Sequence, residues 1–282
     1  ADGGQADRPV VLLIMGLGMQ LGPWPPAFVS GLVDAGYRVI RFDNRDVGLS
    51  THLDHLGVPN LVWAGLQHKL GFSPRAPYTL HDMAQDALAV RDARGVARAL
   101  VAGVSMGGMM AQRLALAAPQ RVASLTSIMS SSGARGLPNA DPRIVKTLLS
   151  RPASAAPQDV LDHYVRLFTA IGSPDFRVPE AEMRDRILAG ITRSYRPVGT
   201  MRQLLAVVAD DHGLAAVHGG DGGLHGARQG GLAHEGELGV EHHAGGAAGD
   251  RGRGRVAADA TLGPDRERGA GGCARWCDTE FV

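Results

Sequence analysis

Val10 to Met15 is an uninterrupted run of Val, Leu, Ile and Met. A strand without a polar side must be covered on both faces, and sheets covered on both faces are the mainly parallel ones of α/β folds. The run ends in Gly16-Leu17-Gly18. A helical stretch through Phe28 to Val33 follows, and Gly36 supplies a helix stop ahead of a second strand, Tyr37 to Phe42. Thr79 with Asp82 three residues on reads as a capping box, opening a helix that runs to about Arg94 and is closed by Gly95. Ala99 to Val104 is the next strand. Met106 to Ala118 then reads as a helix stopped by Pro119, whose ring and missing N–H cannot continue it. Val122 to Met129 supplies a further strand. This alternation predicts an α/β fold with a mainly parallel sheet flanked by helices and right-handed crossovers.

From Pro138 to about Ala209 the pattern becomes helical, interrupted by prolines at 142, 152, 157, 174, 179 and 197. A helical cap inserted over the sheet is the expected arrangement, with a core over 1–136, a cap over 137–209 and a distinct tail over 210–282. Composition decides the last boundary. Residues 211–282 hold 19 glycines and 6 histidines but no Ile, Met, Lys, Tyr, Asn or Ser. No apolar period survives there, so the tail is expected to be disordered, because little apolar burial opposes its ordering entropy. Its residues are those of GC-rich codons and its missing residues mostly need AT-rich ones. A reading-frame error in GC-rich DNA is therefore favoured over a natural low-complexity tail.

The balance of 29 basic and 28 acidic side chains, a net charge of +1, offers no field to gather phosphates and argues against a nucleic-acid partner. No apolar run approaches the roughly 18 residues needed to span a membrane. With no leader ahead of the first strand, a cytoplasmic protein with no membrane partner is expected. The start at Ala1 suggests a fragment or a processed end. Both cysteines, Cys273 and Cys277, lie in the tail, where they cannot brace the main domain.

The junction between the Ala99–Val104 strand and the following helix carries the chemistry. Gly103-Val104-Ser105-Met106-Gly107 matches a nucleophile elbow, in which a sharp strand-to-helix turn lifts a serine hydroxyl above the sheet. In so Gly-rich a chain the bare pattern is weak; a buried strand entering it and a helix leaving it give it weight. Carbonyl attack by Ser105 would place negative charge on oxygen, which two backbone amides must meet. Met106 N–H, at the first helical turn, is one candidate. Leu17 N–H, in the loop after the first strand, is the other.

Leu13 to Gly18, Ile40 to Ser50 and Gly103 to Gly108 together resemble α/β-hydrolase esterases, and the likeness is to those of the aclacinomycin methylesterase type. It covers about residues 9–209, including Ser127 to Ser130 and Ala170 to Pro174 in and near the cap. The resemblance implies cofactor-free hydrolysis of a small to mid-sized apolar carboxylic ester through a Ser-His-Asp triad and an acyl-enzyme, with the cap selecting the substrate. It leaves the oligomeric state open.

The triad's acid and base should follow Ser105 in that order, on loops after the last core strands. Those strands should fall within 211–282, where none is legible. Asp221 with His242 or His243 is a faint match. Without a base, Ser105 would react little. The alternatives are a non-catalytic or inactive relative, and a cofactor-free perhydrolase or acyltransferase on the same fold. Asp43, Arg45, Asp46 and Ser50 could be mistaken for a catalytic cluster. Their expected role is structural, with Asp and Arg bonding loop amides and each other while Gly48 permits the turn. His68 and His81 read as surface residues, and His52 and His55 have no assignable carboxylate partner. The tail histidines, the Cys273 and Cys277 pair and the Arg251 to Arg255 Gly-Arg stretch lack the spacing or length of a metal, redox or RNA site, so no metal is expected.

Overall fold

The computed structural model describes residues 1–133, 141–173 and 177–210. Among these residues five strands, β1 (Asp2–Gly3), β2 (Val10–Ile14), β3 (Arg38–Arg41), β4 (Ala99–Val104) and β5 (Val122–Ile128), form one sheet in the order β1-β3-β2-β4-β5. β1 pairs antiparallel with β3, and every other pairing is parallel. Leu12 lies opposite Ile40 on one side and Val101 on the other. All five residues of β2 are buried, as its composition requires.

Because side chains alternate across a strand, β2 feeds two separate cores. Val10, Leu12 and Ile14 pack with Leu80, Met83 and Ala87 of helix α3 (Leu80–Ala93) and with Met110 and Leu114 of α4 (Met106–Ala117). On the opposite face, Val11, Leu13 and Met15 join Trp24 and the partly buried Phe28, Val29 and Leu32 of α1 (Pro26–Asp34) or its approach. Truncating Leu12, fully buried at the centre, to Ala costs about 2–5 kcal/mol.

Local signals set most helix ends. After α1, Gly36 takes φ 87° while Gly36 N–H donates to Val33 O and Tyr37 N–H to Leu32 O, the paired bonds of a Schellman stop. Thr79 Oγ1 accepts the Asp82 N–H at 3.1 Å and Asp82 Oδ2 accepts the Thr79 N–H at 2.8 Å, completing the capping box.

Among the described residues four further helices follow β5: α5 (Pro142–Leu148), α6 (Pro157–Ile171), α7 (Glu180–Arg193) and α8 (Pro197–Val208). Pro142, Pro157 and Pro197 open α5, α6 and α8, and Pro179 is the N-cap of α7. These prolines start helices as much as they interrupt them, since proline's fixed φ suits the first turn, where its missing N–H has no partner to lose. An additional helix, α2 (Leu61–Lys69), lies between β3 and α3 and carries His68, consistent with a local helical segment there. The residue 211–282 tail, including the expectation of disorder, lies outside the described residues.

Candidate active site

Ser105 is the residue between β4 and α4. Its backbone takes φ 53° and ψ −122°, a conformation that costs an L-residue of order 1–3 kcal/mol and persists only where the surroundings impose it. Here they do. Ser105 N–H donates to Ile128 O at 2.9 Å, and Ser130 Oγ donates to Ser105 O at 2.7 Å. Between those two partners Met129 also takes a positive φ, 46°. The turn is sharp enough that a Cβ on Gly103 would overlap the Gly107 carbonyl, and one on Gly107 would overlap the Ile14 carbonyl. Ser105 itself is exposed.

The loop after β2 lies against this serine. A Cβ on Gly16 would stand 3.2 Å from Ser105 Cβ and 3.7 Å from its Oγ. Four side chains fix the loop. Asn44 Nδ2 donates to Met15 O at 2.8 Å, and the Gly18 N–H donates to Gln203 Oε1 at 2.8 Å. Gln20 Nε2 reaches Gly190 O and Ser194 O, each at 2.7 Å. Leu21 N–H donates to Asp43 Oδ1 at 2.7 Å. Among the described residues the Leu17 N–H, in the middle of this loop, has no acceptor. Met106, first in α4, has no preceding turn to accept its N–H.

Asp43, Arg45, Asp46 and Ser50 are structural: Ser50 Oγ donates to Asp43 O at 2.6 Å, while the Asp and Arg side chains pair outside the segment. The aspartates bond loop amides as expected: Asp43 accepts from Leu21 and Leu49, and Asp46 from Leu53. Their cations come from distant helices. Arg193 of α7 reaches Asp43 at 2.8 Å, and Arg202 of α8 clasps Asp46 with two bonds of 2.8 and 2.7 Å. Arg45 turns instead to Asp86 of α3. The expected Asp–Arg pairing within the segment is thus replaced by pairing across the fold, because Asp86 on α3 takes Arg45 in a two-bond fork while Arg193 and Arg202 meet the two aspartates. Burial opposes the Asp46 carboxylate, yet the Arg202 fork and the Leu53 amide hold it below the usual carboxylate range. Gly48, at φ 61°, leaves room for the Asp43 carboxylate, which a Cβ there would strike.

Arg193, Arg202 and Gln203 were not singled out from sequence. The available signal was Arg202-Gln203 interrupting an otherwise apolar stretch of α8, since polar side chains among buried ones need partners. His55, His68 and His81 are exposed, and His52 Nε2 lies 3.0 Å from Gly48 O. His163 on α6 is buried. No contact among the described residues joins a histidine to Ser105. A cavity of about 170 Å³ between His52, Asp54, Tyr195 and Arg202 and another of about 340 Å³ beside Trp63 both lie away from the serine. Among the described residues no three His, Cys, Asp or Glu side chains gather as a metal site. Asp221, His242, His243, Cys273, Cys277 and Arg251 to Arg255 lie outside the described residues.

Residues 9–177 match the α/β-hydrolase fold family, and the chain belongs to it. It is 32% identical over 210 residues to rhodomycin D methylesterase DnrP of Streptomyces peucetius, covering 67% of this chain and 63% of that protein. Against rhodomycin D methylesterase DauP of Streptomyces sp. strain C5 it is 38% identical over 130 residues, 46% of this chain and 37% of that one. The chain therefore spans less than two thirds of the length of these relatives. The solved 2-hydroxy-6-oxo-6-phenylhexa-2,4-dienoate hydrolase of Rhodococcus sp. strain RHA1 shares the fold, with a TM-score of 0.51 at 16% identity over 76% of this chain and 68% of that one.

Proposed function

We infer that this chain is built for hydrolysis of a small to mid-sized apolar carboxylic ester, with Ser105 as nucleophile and the Leu17 and Met106 amides as the oxyanion hole. The observation that carries this reading is the imposed positive φ at exposed Ser105, set directly against a loop whose Leu17 N–H has no acceptor among the described residues. Strain is kept at a site where it aims a reactive group. In the proposed reaction Ser105 Oγ bonds to the ester carbonyl carbon and loses its proton to a base. The alkoxide leaves with a proton, and water then displaces the serine from the acyl-enzyme. Similarity to the two methylesterases supports the ester as substrate class.

Helices α5 to α8 are assigned as the cap, and α7 and α8 would couple it to the oxyanion loop through Gln20 and Gln203. The base and acid fall to residues outside those described, Asp221 with His242 or His243 being the sequence candidates. Labelling with a fluorophosphonate tests the reading. Modification of the full chain, abolished by Ser105→Ala, is expected. A folded chain that never labels would overturn it in favour of a non-catalytic relative.

A further inference from the structure

Helix α2 departs from the rule for a surface helix, which places polar groups outward. Only Ala64 is buried, with Leu61 and Gln67 partly so, an i, i+3, i+6 ridge that seats the helix on α8. The outward side carries Val62, Leu66 and Leu70 at i, i+4 and i+8, with Trp63 beside them. Val62 is 86% exposed, Leu70 64% and Trp63 57%, and the flanking Val58 and Phe72 add 67% and 63%. Single exposed apolar residues are ordinary; six large ones within a stretch of 15 residues form a patch of the kind that meets another apolar surface.

Charge selects the surface. From His55 to His81 the chain has no Asp or Glu, while it carries Lys69 and Arg75, both exposed. The acid bordering the patch, Asp54, is already engaged by Arg196 and Arg202. A second copy docking through the same face would bring like charges together. An anionic lipid surface satisfies both features, since its acyl boundary receives the apolar stripe, its headgroups attract the cations, and tryptophan favours that boundary.

We propose that α2, with Val58 and Phe72, is a peripheral docking surface for membranes rich in anionic lipid. The sequence argument against a membrane partner rested on spanning, and among the described residues no helix is long and apolar enough to cross a membrane. Lying on a membrane requires no span. The inference is independent of the role of Ser105.

Co-sedimentation of the full chain with phosphatidylglycerol vesicles and with phosphatidylcholine vesicles tests it. Binding to the anionic vesicles is expected, about tenfold weaker on phosphatidylcholine and weakened by salt. A blue shift of tryptophan emission should accompany binding and be lost in Trp63→Phe. Val62→Glu with Leu66→Glu should reduce binding at least about tenfold, with an unchanged melting curve. Lys69→Glu with Arg75→Glu should remove the anionic preference. The proposal is overturned if neither vesicle binds, if V62E/L66E binds as well as wild type, or if the wild type is a dimer that V62E/L66E converts to monomer.

Discussion

Two neighbouring stretches of this chain invert the inside–outside rule in opposite senses. Asp43 to Ser50 buries charge: Asp46 and Arg202 are 0% and 1% exposed. Leu56 to Phe72 does the reverse and turns large apolar side chains to solvent. The difference lies in what each inversion demands of the rest of the fold. A buried carboxylate must be matched at once, so the Asp43 loop recruits Leu21, Arg193, Arg202 and Gln203 from far along the chain. An exposed apolar side chain demands nothing of the folded state. The first stretch therefore binds α7 and α8 to the core, while the second stays separable from folding.

The largest test of this contrast is Arg202→Met. It leaves Asp46 buried and unpaired, and should lower unfolding free energy by about 3–5 kcal/mol in urea titration. Adding Asp46→Asn should recover part of the loss. Because the Asp46 carboxylate is depressed, its stabilisation is present above the ordinary value of 3.8 and lost as pH falls through the lower folded value. Acid unfolding should therefore be shallower in the double variant.

Gln203→Met removes an acceptor from the Gly18 N–H and a donor from the Arg45 carbonyl, whose bond to Gln203 is 2.7 Å. A cost of about 1–3 kcal/mol is expected. If the proposed oxyanion role holds, fluorophosphonate labelling should also slow in the folded variant.

His163 sharpens the comparison, as a buried ring that stays neutral where Asp46 is paired. Burial, and secondly the Arg166 charge, push its imidazolium below the ordinary 6.5. The unfolded chain thus takes up the proton first, so this contribution is complete above 6.5 and declines as pH falls below it. His163→Gln should narrow the difference in Tm between about pH 7.5 and about pH 5.5.

The smallest expected effect is at α2. Val62→Ser should change stability by no more than about 0.5 kcal/mol in the same urea titration. A larger loss would show that the exposed stripe supports the fold.

Much of the fold was legible locally. The unbroken apolar run of β2, the Thr79–Asp82 box, and the glycine stops at 36 and 95 each specify an element through backbone geometry and neighbours a few residues away. The sharp turn at Ser105 was legible for the same reason, since glycines on both sides of a strand–helix junction are a local steric requirement. The extent of helix α2 around His68 was not legible because it lacks the polar face that makes a helical period visible.

By itself, then, the sequence determined the four parallel strands, the capped helices and the serine turn, because torsional preference and burial on both strand faces act over short spans. The tertiary structure decided which cations neutralise Asp43 and Asp46, what holds the Leu17 loop against Ser105, and which apolar residues remain outside. Those outcomes join residues up to 185 positions apart, as in the Gly18–Gln203 bond. Such pairings depend on how the helices dock, which no local pattern encodes.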